Sequence, residues 1–265
     1  MATTHQARAA ASVIVGMLLA DISGSAQAQR MKLAETLILT TPDLKPEADL
    51  AAFEAHVFTR VAPAWKQTSP GVALHLLRAD RGSRKGQHVL AWIADRRQHP
   101  HIDDVRLRDD LMPFVTGAGR SVEYHLLSPE EAGTLPEVDV LGVHYIKVRP
   151  DQRGAFERFV AERLHPTVGN LRPDLRLLYY KAVRGEDAGS YITVFALTAE
   201  SRDKYWPKGS DSDAVRAAFK PVQVLAPELS TFLVDGSYLT GDDFAAAVYE
   251  SREWTDFVRI PPRRD

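Results

Sequence analysis

His165 is the residue whose type and position best suit chemistry. It stands directly before Pro166, near the end of a predicted helix. An imidazole there can act as a general base near neutral pH, bind a metal, or serve as an axial ligand of haem iron. The structural alternative is that it hydrogen-bonds a backbone carbonyl at the helix end. We therefore name His165 as a candidate catalytic and cofactor-binding residue.

Arg176 and Tyr179 follow on the next predicted strand. A guanidinium beside a reacting group can stabilise negative charge that develops during the reaction. An aromatic side chain such as Tyr179 can shape the pocket around that group. With His165, these two residues complete the predicted catalytic set.

A predicted cavity between a sheet and its helices would bind the substrate. Because side chains alternate along a strand, His144 points to one face and Tyr145 to the other. Such a cavity suits a small apolar or aromatic molecule. The alternative is that its aromatic side chains only pack the core, as large aromatics usually do. The predicted substrate-binding residues are His144, Tyr191, Phe195 and Trp206.

Other chemical signatures are weak or missing. His99 and His101, followed by Asp103, offer nitrogen and oxygen ligands in one short stretch. A polar stretch between a strand and a helix is more often solvated, so we predict no metal site. The chain has no cysteine, which excludes disulfides and a cysteine nucleophile. The usual motifs for nucleotide binding, serine hydrolysis and zinc proteases are absent from the sequence.

An internal repeat predicts the elements that position these residues. Residues 52–94 match residues 155–197 without a gap, 103 positions later. After an insertion near 205–209 the match resumes 108 positions apart, where Pro113 meets Pro221. Matched prolines and glycines are informative because they fix backbone geometry at helix ends and turns. The matched pairs include Phe53/Phe156, Glu54/Glu157, Val57/Val160, Pro63/Pro166, Pro70/Pro173, Gly82/Gly185 and Gly86/Gly189.

Each copy has the element order βαββαβ, which is typical of a ferredoxin-like unit. A hairpin with a glycine-bearing turn is predicted in each, at 82–86 and at 185–189. Helices cover one face of such a sheet, so the other face needs a partner. We predict an α+β fold in which two tandem ferredoxin-like repeats, residues 29–135 and 136–240, pack sheet to sheet as an intramolecular barrel.

The end of the chain is predicted as follows. A strand at 229–234 closes the second copy, and the helix-like spacing of apolar residues from Phe244 to Phe257 then predicts a helical tail over 241–265. The tail would pack on the outside of the barrel or on a partner chain. Fused copies do not require a dimer, but a homo-oligomer through the tail stays open.

With these elements the chain resembles the dimeric α+β barrel superfamily, over roughly residues 33–239. That superfamily includes cofactor-free monooxygenases, EthD-like and NIPSNAP-like proteins, and chlorite dismutase-like haem proteins. The resemblance implies two alternatives: a site without a cofactor, or a haem. In the haem alternative, His165 would be the proximal ligand and Arg176 the nearest distal residue.

The N-terminus predicts export. Arg8 precedes an apolar run at 10–20 and then small residues, a secretory signal pattern with cleavage after Ala28. The run is too short to cross a bilayer, which takes roughly 20 apolar residues. With 33 basic and 35 acidic side chains, the net charge of -2 offers no cationic excess to nucleic acid. We predict a signal peptide over 1–28, a periplasmic or secreted location, no membrane span and no nucleic-acid partner.

Together these patterns predict an exported barrel that binds a small molecule. Cofactor-free, monooxygenase-like oxidoreductase chemistry in the second repeat is the leading enzymatic interpretation. Two alternatives stay open: a haem-binding, chlorite dismutase-like protein, and a non-catalytic binding or assembly module.

Overall fold

Eight β-strands close into one barrel in the computed structural model, which describes residues 30–98, 104–128, 137–168, 172, 174–207, 212–234 and 254–262. Two short strands, β1 (Met31–Lys32) and β6 (Glu137–Val138), form a separate antiparallel pair. The first unit of the barrel consists of β2 (Thr36–Leu44), β3 (Ala73–Gly82), β4 (His88–Ala94) and β5 (Val115–Leu126). The second unit consists of β7 (Val140–Ile146), β8 (Arg176–Arg184), β9 (Tyr191–Leu197) and β10 (Trp254–Arg259).

The strand order is the same in both units. The barrel runs β10-β3-β4-β2-β5-β8-β9-β7 and closes on itself. Within it, β3-β4-β2-β5 corresponds to β8-β9-β7-β10, which is the order of a ferredoxin-like sheet. The units join at two antiparallel seams, β5 with β8 and β10 with β3. The predicted α+β class, two ferredoxin-like units in one intramolecular barrel, is confirmed.

Helices pack on the outside of each unit. In both units a π-helical turn interrupts the first helical segment, at Val57–Val61 and at Val160–Leu164, 103 positions apart. Side-chain caps begin several of the helices: the Asp49 carboxylate accepts from two backbone N–H groups of the first helix. No helix in the described part of the chain has the length and apolar content that crossing a bilayer requires. The helices are α1 (Leu50–His56), α2 (Ala62–Thr68), α3 (Asp104–Leu111), α4 (Arg153–Phe159), α5 (His165–Val168), α6 (Ala199–Tyr205), α7 (Asp213–Gln223) and α8 (Ala226–Phe232).

Side-chain alternation divides the core into an inner and two outer clusters. On β8, Leu178 and Tyr180 face the barrel interior, whereas Leu177 and Tyr179 face the helices of the second unit. The equivalent outer face of the first unit buries Trp92 and Leu76 against α1 and α3. We call the side toward the barrel interior the inner face and the side toward the helices the outer face.

Two predictions for the end of the chain are wrong. The predicted strand at 229–234 is helix α8, which begins with Pro227 in its first turn and packs Phe232 on Phe159 of α4, with ring centroids 5.2 Å apart. The predicted helical tail contains strand β10 instead, with Phe257 fully buried inside the barrel. A strand is favoured there because β3 and β7 would otherwise each present an unpaired edge. The fourth strand of the second unit is therefore β10.

The glycine-bearing hairpin turns predicted from the repeat are present in both units. Gly82, the last residue of β3, and Gly185, the first residue after β8, have positive φ angles of 94° and 102° where the two turns begin. A Cβ atom on Gly82 would collide with the Trp254 carbonyl of β10, and one on Gly185 with the Ser121 carbonyl of β5. Each glycine therefore permits a turn and also lets the two units approach closely at a seam.

Gly82→Ala is expected to destabilise the protein more than Gly86→Ala. Both positions have positive φ, which costs a non-glycine residue about 1 kcal/mol. A Cβ at Gly86 meets nothing within 4 Å, whereas one at Gly82 clashes with backbone, which adds about 2 kcal/mol. Urea unfolding midpoints measure the difference, and equal midpoints for the two variants would contradict a close approach at this seam.

Candidate functional site

Three of the predicted substrate-binding residues meet on the outer face of the second unit. The rings of His144 and Phe195 are 5.5 Å apart, and those of Phe195 and Trp206 are 5.2 Å apart, between centroids. All three side chains are buried. They contact one another directly, so they form part of the core, and their role in binding a substrate stays a prediction.

Tyr191, the fourth of these residues, lies at the other end of β9. Its hydroxyl donates a hydrogen bond to Glu157 Oε1 at 2.6 Å, and Lys181 Nζ donates to the same oxygen at 2.7 Å. Burial and the hydrogen bond to this carboxylate raise the pKa of Tyr191, so the hydroxyl stays protonated. At the matching positions of the first unit, His88 Nε2 lies 3.0 Å from Glu54 Oε1. The contact between helix and strand therefore recurs in both units.

The predicted catalytic set is not brought to one place. Tyr179 belongs to the outer cluster, whereas Arg176 has the strand parity of Leu178, which faces the barrel interior. His165 begins α5 and is partly buried. Strand β8 thus directs Arg176 and Tyr179 to opposite faces of the sheet, and they do not approach a common reacting atom. The catalytic roles of these residues stay predictions.

The described side chains that flank His165 belong to a buried apolar cluster. Leu164 and Leu175, both fully buried, belong with Tyr179 to the apolar cluster that fills the layer between the helices and the sheet of the second unit. Axial ligation needs open space beside the imidazole for a flat macrocycle. We derive no step through a haem, and ligation of a haem by His165 stays a prediction.

A small void lies where the sequence predicts the substrate cavity. Its volume is about 10 Å³, which is room for roughly one water molecule. Two buried polar atoms of its walls, His144 Nδ1 and Asp256 Oδ2, have no hydrogen-bond partner among the described residues. The void is therefore polar at two points but far too small for an aromatic substrate. Its walls are Gly142, His144, Phe195, Leu197, Trp206, Trp254 and Asp256.

Burial perturbs both titratable groups of this void. Desolvation lowers the pKa of His144 to about 3, so the imidazole is neutral at physiological pH. Desolvation raises the pKa of Asp256 to about 6, although the positive charges of Arg202 and Arg81 partly oppose the shift. These arginines belong to an ion-pair network at the seam between β3 and β10, in which Arg202 lies 3.0 Å from Asp80 and Arg81 lies 3.0 Å from Asp203.

The larger cavity lies inside one end of the barrel. Its volume is about 320 Å³, and both glycine-bearing hairpin turns border it, through Arg84 and Asp187. Its floor is apolar and consists of inner-face side chains of several strands, whereas its rim is polar. The floor is formed by Leu39, Val89, Val122 and Phe257, and the rim by Thr41, Asp43, Arg84, Gln87, Arg120, Tyr124, Tyr145 and Asp187.

Two residues of the rim, Tyr124 and Tyr145, are tyrosines. Burial and the neighbouring hydroxyl of Tyr145 raise the pKa of Tyr124, so its phenol is neutral and can donate a hydrogen bond. Tyr124 is almost completely buried and lies on the inner face of β5. The pair places hydroxyl groups beside apolar wall, an arrangement that can orient an apolar molecule with one polar end.

The two arginines of the rim have different partners. Arg120 pairs with Glu186 at 2.7 Å and lies 3.8 Å from Asp187, both in the β8–β9 turn. Arg84 instead stacks on Tyr145, with its guanidinium carbon 4.1 Å from the ring centroid. The rim therefore presents one guanidinium that is already in an ion pair and one held against an aromatic face.

The sequence interpretation missed this cavity. Alternation along β7 indicates that Tyr145 faces away from His144, and the matched glycines indicate two equivalent turns. These signals together could have directed attention to the inner face at one barrel end. Packing across all eight strands determines which end of the barrel stays open. A local sequence pattern cannot predict this.

Several predictions concern residues outside the described part of the chain. The signal peptide over 1–28 is one, and the His99, His101 and Asp103 stretch is another. Among the residues that the structure describes, no group of three or more histidine or acidic side chains is arranged to hold a metal ion.

One comparison with a solved structure, that of a candidate chlorite dismutase, supports the fold. No protein-family model and no curated protein matches the chain. A candidate chlorite dismutase has a solved structure that is similar with a TM-score of 0.50 and 9% identity, covering 86% of this chain and 95% of that chain. A candidate monooxygenase from Lactobacillus acidophilus NCFM has a TM-score of 0.45 and 10% identity, covering 84% and 93%. A dye-decolorizing protein from V. cholerae has a TM-score of 0.46 and 9% identity, covering 88% and 96%. At these identities the similarity describes the fold alone.

Proposed function

We propose that the protein binds a small molecule with an apolar, aromatic-sized body inside the end of the barrel. The observation that carries the proposal is the cavity of about 320 Å³ with an apolar floor and a polar rim. Ligand sites are typically concave, from about 300 Å³ upward, mostly apolar, and supplied with a few polar groups that fix orientation. The barrel cavity meets the conditions of size and concavity and has an apolar floor, although its rim is more polar than is usual for such sites.

The barrel cavity is a better candidate than the outer face of the second unit. There, the void beside His144 has room for about one water molecule, and Phe195 and Trp206 are in ring contact. A substrate could enter only if these fully packed aromatic side chains moved. The barrel cavity needs no rearrangement of this kind.

If the protein is an enzyme, we propose that it oxidises the bound ligand with oxygenase-like chemistry. Tyr124 would donate a hydrogen bond to a carbonyl or enolate oxygen of the ligand, and a rim guanidinium would stabilise the negative charge on it. Dioxygen would be the oxidant, with no cofactor. The alternative is a non-catalytic binding protein. An enzyme would convert the bound ligand to a product in the presence of dioxygen, whereas a binding protein would leave it unchanged. Export remains a proposal that rests on residues 1–28.

Binding of a neutral aromatic probe tests the site. N-phenyl-1-naphthylamine, which fluoresces more strongly in apolar surroundings, is expected to bind saturably to the protein. Val122 lines the cavity, so Val122→Phe should fill part of it and weaken binding about tenfold or more with little loss of stability. Thermal unfolding of the variant verifies that the barrel is intact.

Val194→Phe is the matched control for this experiment. Val194 is fully buried in the same inner cluster but does not line the cavity. The added volume has no space to fill, so the variant should lose about 1–3 kcal/mol of unfolding free energy while the folded fraction still binds the probe. If Val122→Phe bound the probe as tightly as the unmodified protein, the proposal that the ligand binds inside the barrel would be wrong.

A further inference from the structure

Arg84 is the cation of the cavity for which the described residues supply no acidic partner. It lies in the turn between β3 and β4, is partly buried, and stacks on Tyr145 at 4.1 Å. No carboxylate among the described residues lies within 4.0 Å of its guanidinium nitrogens, whereas Arg120 across the rim pairs with Glu186. A guanidinium that is partly desolvated and without a counter-charge gains free energy when an anion binds.

We propose, resting on the binding function proposed above, that the ligand carries a carboxylate group and that Arg84 binds it. Stacking on Tyr145 occupies one face of the guanidinium plane and leaves its edge of N–H donors available. That edge matches the two oxygens of a carboxylate in a bidentate arrangement. Arg84 therefore acts as a fixed anion receptor at the rim.

The rest of the cavity suits the remainder of such a molecule. Leu39, Val89 and Phe257 form an apolar floor for the body of the ligand. The neutral phenol of Tyr124 can donate a hydrogen bond to the ligand but cannot accept a proton from it, because burial raises its pKa. An apolar or aromatic monocarboxylate is the chemical class that matches all three features.

The acidic residues of the rim do not cancel this preference. Asp187 lies 3.8 Å from Arg120, within the ion pairs of the β8–β9 turn. Asp43 is exposed, so water screens its charge from the cavity. Arg84 is therefore the partly buried positive charge of the rim that no described carboxylate within 4.0 Å neutralises, which favours binding of a carboxylate at Arg84 itself.

Competition between an acid and its neutral amide tests the proposal. 1-Naphthoate and 1-naphthamide have nearly the same shape, and each would displace N-phenyl-1-naphthylamine from the protein. We expect naphthoate to bind about tenfold more tightly, as a charge-assisted hydrogen bond implies. Arg84→Met should reduce naphthoate affinity to that of naphthamide and leave naphthamide affinity unchanged.

Lys85→Met is the matched control. Lys85 is the exposed neighbour of Arg84 in the same turn and does not line the cavity, so both affinities should stay at their original values. Equal affinity of acid and amide for the unmodified protein overturns the carboxylate assignment, and so does an equal loss of both in Arg84→Met. If neither competitor nor the neutral probe binds, the barrel site itself is wrong instead.

Discussion

Ending the chain at residue 253 is expected to abolish the cooperative unfolding of this protein, because the change removes β10. This strand pairs with β3 along one edge and with β7 along the other, so its loss opens the barrel and leaves two unpaired edges. It also exposes the surface that Phe257 and Thr255 cover, both of which are fully buried. The expected cost exceeds the total stability of an ordinary domain, about 5–15 kcal/mol.

A chain ending at Pro262 is the control for that truncation. It keeps β10 and should unfold like the full chain in urea, followed by circular dichroism. A milder variant, Phe257→Ala, should lose about 3–5 kcal/mol of unfolding free energy, the usual cost of truncating a buried aromatic side chain. If the chain ending at residue 253 unfolded cooperatively at the same urea concentration as the control, β10 would not close the barrel.

The first unit and both hairpins follow from local sequence signals. Prolines and glycines in register 103 positions apart mark the same turns in both units, and each glycine has the positive φ that its position requires. Two features recur although no sequence signal predicted them: the π-helical turns and the contacts of Glu54 and Glu157 with β4 and β9. The matched glutamates were nevertheless visible in the alignment of the two copies.

The end of the second unit could not be predicted locally. Leu229, Thr231 and Leu233 alternate as in a strand, but Pro227 starts a helix whose Phe232 packs on α4. Conversely, the apolar residues Trp254 and Phe257 have helical spacing but belong to a strand. Whether residues 254–259 form a helix or a strand depends on the open edges of β3 and β7, which lie more than a hundred residues earlier in the chain. Tertiary pairing overrides local preference in both segments.

The candidate site was predicted only in part for a similar reason. Alternation predicts that His144 and Tyr145 face opposite sides of the sheet, and in the structure His144 contacts Phe195, which Trp206 covers. It does not reveal how much space is left between them, because that depends on the volumes of side chains from other elements. The open space lies instead on the inner face, beside Tyr145 and Arg84.

The two buried groups beside the small void are expected to give opposite pH dependences of stability. For Asp256 the pKa is raised to about 6 by burial, so stability falls as the pH rises from about 4 to about 6, and the penalty is complete above that range. For His144 the pKa is lowered to about 3, so stability falls as the pH drops from about 6.5 toward 3. Between pH 4 and 6 the two contributions largely cancel.

Asp256→Asn removes one of these contributions and should therefore raise the unfolding free energy at pH 7 by about 2 kcal/mol. The gain should shrink as the pH falls from about 6 to about 4 and vanish near pH 3, where Asp256 is protonated in both the folded and the unfolded state. Asp203→Asn is the control from the same network: it loses the ion pair with Arg81 at 3.0 Å and gains nothing at pH 7. Urea unfolding at several pH values measures both. A gain for Asp256→Asn that persisted undiminished at pH 4 would mean that packing, and not the buried charge, is responsible.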